Sequence, residues 1–187
     1  MTATVINESL KNNILTICNR EGNIDKFYVF DNIPQNILPK AIKSYAKTMD
    51  LNEMIIFLYD DTVFGSAKEG FILTDKRFYC KNVAESGNFV NISEINNISF
   101  KKGVLTSTII INVSSVEIKF NITQIQERQA LFNVLNKTIE LLKNNKSGSV
   151  TNITAVQTPV MRSPICEGCG ARNTDYAQRC EYCDSPL

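Results

Sequence analysis

Four of the six cysteines stand as two pairs, Cys166-Glu-Gly-Cys169 and Cys180-Glu-Tyr-Cys183, with ten residues between the pairs. Two thiolates spaced C-x-x-C sit on one tight turn and reach a single metal ion, and two such turns complete a tetrahedral set at Zn–S distances of about 2.3 Å. Four thiolates leave no open coordination position, so the expected chemistry is one structural Zn²⁺ and no catalysis. Gly170 suits the sharp turn after the second cysteine, where a positive φ is needed. So short a segment buries too little apolar surface to fold alone, and metal binding is expected to supply its folding free energy. Iron in the same tetrahedral set, or a disulfide or redox pair, are the alternatives.

The segment from Cys166 to Leu187 resembles the short double-knuckle zinc ribbons found at the ends of bacterial proteins, down to its final Asp184-Ser-Pro-Leu187. It departs from them in carrying Arg179, where an aromatic residue usually precedes the third cysteine. Tyr176, Arg179 and Tyr182 are therefore its candidate contact residues. The other two cysteines, Cys18 and Cys80, stand apart from this cluster in a chain without histidine, so no Cys-His nucleophile pair exists. They read as buried free thiols.

Upstream, the candidate chemistry is sparser. Lys68, Lys101, Lys102 and Lys119 are candidate contacts for anionic lipid headgroups, if the fold brings them to one rim. The loop Gly65-Ser-Ala-Lys-Glu-Gly70 lacks the spacing of a P-loop and is expected to be a hairpin turn. Asp60-Asp61 at a strand end, and Asp31, are expected to face water.

The elements that must position these residues follow from periodicity. Leu10, Ile14 and Ile17 suggest a helix, and Asp25 to Phe30 a strand. Leu38, Ile42, Tyr45 and Met49 recur at helical spacing, with Pro39 in the first turn, which predicts a helix near 37–49. From Glu53 to Ile122 the period becomes two. Strands are expected at 54–59, 68–74, 77–82, 89–92, 98–102, 107–113 and 116–121, joined by turns too short for parallel crossovers. Helical spacing then returns at Ile125, Phe132, Leu135, Ile139 and Leu142, with Thr123 and Gln126 spaced as a capping box.

Glu69-Gly-Phe-Ile-Leu-Thr-Asp-Lys-Arg-Phe-Tyr79, followed by Val90-Asn-Ile-Ser-Glu-Ile95, resembles bacterial pleckstrin-homology-like domains, in which a Leu-Thr-Asp-x-Arg hairpin and a Ser-Glu-Ile turn recur. The resemblance implies an α+β fold: a barrel or curved antiparallel sheet of about seven strands, capped by a C-terminal helix. Four parts are expected. They are an N-terminal extension (1–51) packing on the next domain, a pleckstrin-homology-like domain (52–143), a flexible linker (144–165) rich in Asn, Ser, Thr, Gly and Pro, and the zinc ribbon (166–187).

Composition narrows the function classes. The net charge is +1, and residues 162–187 carry three arginines against four acids, so the ribbon lacks the basic face that drives nucleic-acid affinity. The first residues lack the basic start and apolar run of a signal peptide, and no apolar run approaches the roughly 20 residues of a membrane span. A cytoplasmic, non-enzymatic adaptor or regulatory protein that binds a protein partner is the expectation. Anionic membrane binding and nucleic-acid binding by the ribbon are the alternatives.

Overall fold

The computed structural model describes residues 8–147, apart from residue 115, and all of them fall on one side of a division between Ser149 and Val150. The candidate ribbon and its linker lie outside the described residues, except for the first linker residues, which continue the last helix. The element order is α1 (Glu8–Glu21), β1 (Phe27–Val29), α2 (Leu38–Tyr45), β2 (Ile55–Asp60), β3 (Gly70–Thr74), β4 (Arg77–Lys81), β5 (Asn88–Asn91), β6 (Asn97–Lys101), β7 (Ser107–Val113), β8 (Val116–Ile122) and α3 (Arg128–Ser147). Single 3₁₀ turns follow β1 and β5.

Among the described residues the class is α+β and every strand pair is antiparallel, but the strands form two sheets, β1-β2-β3-β4-β5 and β6-β7-β8, with no closed barrel. One reason is β1. Phe27 to Val29 pair with Tyr59 to Phe57, which occupies the free edge of β2 and leaves it no partner from the second sheet. Side chains clasp the sheets instead. At the end of β4, Asn82 donates through Nδ2 to the Lys119 carbonyl (2.8 Å) and accepts the Asn121 N–H (2.8 Å).

The central strands β2 and β3 are buried almost throughout because both faces are covered, which erases the alternation expected of a half-exposed sheet. Phe57, Tyr59, Phe71, Leu73 and Phe78 face a core shared with Ile109, Ile111, Phe120 and Ile122 of the second sheet. Leu58, Ile72 and Tyr79 face the opposite way, onto Ile37, Ala41 and Tyr45 around α2. A bulge between Ile55 and Phe57 puts Ile56 and Phe57 on the same side. Gly70 is required where it stands: its φ is +137°, and a Cβ there would lie 2.0 Å from the Tyr59 carbonyl oxygen.

α3 lays Leu131, Val134, Leu135, Ile139 and Leu142 onto the shared core, and Phe132 stacks on Phe100 of β6 with ring centroids 5.1 Å apart. It begins at Arg128, not at Thr123, because the Thr123 N–H and hydroxyl are both committed to Asp61. α2 ends at Tyr45, earlier than the spacing of Met49 suggests, because Ala46 leaves helical geometry (φ −118°, ψ 34°). The N-terminal segment is woven into this domain. α1 buries Ile14 in the shared core, and its Glu21 accepts hydrogen bonds from Asn133 (2.9 Å) and Lys137 (2.7 Å) of α3. Among the described residues no helix is long and apolar enough to cross a membrane.

Candidate functional site

The expected metal ligands Cys166, Cys169, Cys180 and Cys183, and the contact residues Tyr176, Arg179 and Tyr182, lie outside the described residues. Among the described residues no group of three or more Asp, Glu, Cys or His is placed to hold a metal ion.

The four lysines do not share one rim. Lys101 pairs with Thr108, and Thr108 with Asn121, while Lys119 pairs with Ile110, so Lys101 and Lys119 lie on one face of the three-stranded sheet. They line a shallow cleft of about 560 Å³ together with Glu85 and Glu117. Lys119 forms an exposed ion pair with Glu117 (3.3 Å), an interaction worth little in water. Lys102 lies on the other side of the β6–β7 hairpin, in a cleft of about 300 Å³ that Arg128 also lines. Lys68 stands apart on the β2–β3 loop, where its carbonyl accepts the Ser44 hydroxyl (2.8 Å).

Asp60 and Asp61 do not face water; both are buried. Burial is tolerable because donors converge on them. Asp61 accepts the Tyr59 hydroxyl (2.6 Å), the N–H groups of Thr123 and Gln124 (3.0 Å each) and the Thr123 hydroxyl (2.8 Å). Asp60 Oδ1 accepts both the N–H (2.9 Å) and the hydroxyl (2.6 Å) of Thr62, while its Oδ2 is buried with no hydrogen-bond partner among the described residues. The Thr62 hydroxyl oxygen in turn accepts the Ser66 N–H (2.8 Å), and Lys26 donates to the carbonyls of Thr62 (2.6 Å) and Val63 (3.1 Å). These bonds fix the β2–β3 loop from within. At its tip Val63 is exposed and Phe64 is 95% exposed. Asp31 does face water, in an ion pair with Lys11 (3.1 Å).

A second polar knot sits at the base of the β3–β4 hairpin. The buried Glu53 carboxylate accepts the Thr74 hydroxyl (2.7 Å), the Tyr79 hydroxyl (2.9 Å), the Asp50 N–H (3.1 Å) and Arg77 Nη1 (3.0 Å). Thr74 Oγ1 also accepts the N–H groups of Lys76 (3.1 Å) and Arg77 (2.8 Å), and Asp75 Oδ1 accepts the Met54 N–H (2.9 Å). The Leu-Thr-Asp-x-Arg run is therefore a structural clip: each polar member is used inside the fold. Arg77 further covers the Phe89 ring at 5.5 Å. Sequence reasoning passed over Glu53; its signal was an acid directly before an apolar strand, where nothing but a partnered carboxylate can be buried.

Cys80 is buried and Cys18 half-buried, and burial pushes their thiols up to about 12 and about 11. Neither is a thiolate near neutrality, so neither is a ready nucleophile.

In comparisons with family models, curated proteins and solved structures, none matches the chain.

Proposed function

We propose that this chain is a cytosolic, non-enzymatic adaptor whose α+β domain, of pleckstrin-homology-like type, offers the β2–β3 loop to a protein partner and carries a zinc-bound ribbon at its C-terminal end. The observation that carries the reading is Phe64: a large aromatic side chain almost fully in water at the tip of a loop held by Asp60, Thr62 and Lys26. An exposed phenyl ring forgoes about 2 kcal/mol of burial free energy. Aromatic side chains dominate the anchors of protein interfaces, and a loop fixed in advance loses little entropy on docking. The ribbon rests on the spacing of Cys166, Cys169, Cys180 and Cys183, with Tyr176, Arg179 and Tyr182 as its contact residues. Its excess of acids over bases disfavours nucleic acid.

The test is affinity capture from native lysate with the full chain and with Phe64→Ala, whose folding stability should stay within about 0.5 kcal/mol of the parent. A partner held by the parent and lost by the variant supports the reading. Identical captured sets overturn it. Metal analysis should find one zinc per chain, abolished by serine at the four cysteines; a folded, metal-free ribbon removes that half of the proposal.

A further inference from the structure

The β6–β7 hairpin ends in two adjacent aliphatic side chains held out into water, Val104 at 97% and Leu105 at 83% exposure. Specific contacts shape the turn. A Cβ on Gly103 would lie 2.0 Å from the Thr106 carbonyl oxygen, so the chain closes here only through glycine. The Gly103 N–H donates to the Ser107 hydroxyl (3.3 Å), and Arg128 Nη1 donates to the Val104 carbonyl (3.3 Å) from the start of α3.

Three cations flank this tip, and the acids Glu85 and Glu117 line the cleft that Lys101 shares on one face of the hairpin. Lys101 and Lys102 precede it directly and are exposed, and Arg128 stands behind it. Among the described residues no carboxylate pairs with any of the three, and Arg128 donates only to the carbonyls of Ile125 and Val104. Lys102 and Arg128 share a cleft with Gln126, Gln129 and Ser107, beside the apolar pair. Glu127, next to Arg128 and exposed, is the nearest acid in sequence.

A soluble partner surface would need a pocket to receive two side chains that project together. A bilayer interface needs no such pocket: it accepts short apolar side chains at the depth of the upper acyl chains, while cations beside them stay among anionic headgroups. We propose that the β6–β7 hairpin is an insertion wedge for an anionic membrane surface, with Val104 and Leu105 entering the interface and Lys101, Lys102 and Arg128 contacting lipid phosphates. This surface is separate from the Phe64 loop and does not rest on the adaptor reading. Two aliphatic residues and three cations give weak, reversible and salt-sensitive binding, suited to a protein that visits a membrane without anchoring there.

The chain has no tryptophan, so a single one reports its surroundings without background. Full-length Leu105→Trp is titrated with vesicles of phosphatidylcholine alone and of an equimolar mixture with phosphatidylglycerol. Val83→Trp, at an exposed site on the β4–β5 loop, is the control. The expected result is a blue shift of tryptophan emission for Leu105→Trp on the mixed vesicles only, reversed by high salt, and none for Val83→Trp. Replacing Lys101 and Lys102 by alanine in the Leu105→Trp background should weaken the titration about 25-fold, at roughly a factor of five per cation. Parent protein should co-sediment with the mixed vesicles and Val104→Asp/Leu105→Asp should not. The proposal is overturned by no shift, by equal shifts on both vesicles or at both sites, or by a shift that follows protein concentration without lipid, which would mark the tip as a contact between copies.

Discussion

The Asp61 carboxylate accepts the backbone N–H of Thr123 at 3.0 Å, joining the end of β2 to the residue after β8 across 62 positions of sequence. With Asn82, it is one of the side-chain clasps between two sheets that share no ladder. Asp61→Ala strands two N–H groups and two hydroxyls and should cost about 3 kcal/mol. Asn82→Ala removes one donor and one acceptor and should cost about 1–2 kcal/mol. Urea unfolding measures both, and amide exchange at Thr123 and Gln124 should accelerate selectively in the Asp61 variant.

The single carboxylate of Glu53 serves donors from four residues. Its removal therefore leaves more unpaired than it deletes. Glu53→Ala should lose about 3 kcal/mol, and Glu53→Gln about 1–2 kcal/mol, because an amide turns an N–H₂ toward existing donors. Tyr79→Phe takes one donor from a carboxylate that keeps three, and about 1 kcal/mol is expected. The order of the three denaturation midpoints tests the network.

Alkaline pH should weaken the fold. Burial holds the Cys80 thiol protonated up to about 12, whereas the ordinary value is 9.0. Burial and the Asp61 charge push the Tyr59 hydroxyl up, and burial with the Asp60 charge does the same to Tyr45. Above pH 9 for the thiol, and above pH 10 for the two tyrosines, the unfolded chain releases protons that the folded chain keeps, so each contribution is whole below that pH and falls as pH rises, by up to about 1.4 kcal/mol per unit for each group. Cys80→Ala should make the fall shallower, read as urea midpoints from neutrality into the alkaline range.

Ala84 is exposed at φ +61°, in the left-handed region that L-residues with a Cβ avoid. Ala84→Gly should raise stability by about 0.5 kcal/mol, relief of strain slightly exceeding the added freedom of the unfolded chain. Ala84→Val should lower it by about 1 kcal/mol. Thermal melts of the pair give opposite signs.

Strand positions were legible in the sequence because turn chemistry brackets them: β7 spans Ser107–Val113 as expected, β4 ends one residue early, and β2 is shifted by one residue at each end. How the strands associate was not legible. Periodicity says which residues share a face, but the split into two sheets depends on β1 taking the edge of β2, a distant pairing set by three residues, Phe27 to Val29. The candidate surfaces divide in the same way. Phe64, Val104 and Leu105 look in the sequence like any other apolar residues, and only folded geometry shows them left in water. Asp60 and Asp61 read as a solvated pair because their donors come from as far away as Thr123. Thr123 itself read as a helix cap for the same reason: a local pattern gave way to a distant carboxylate.

The bonds from Glu21 to Asn133 and Lys137 tie the first helix to the last. Within this domain α1 is synthesised before the strands, yet its partner α3 is among the last parts of the domain to leave the ribosome. Nearly the whole domain must therefore be translated before its first helix finds its place, and the apolar face of α1 stays open to chaperones until then.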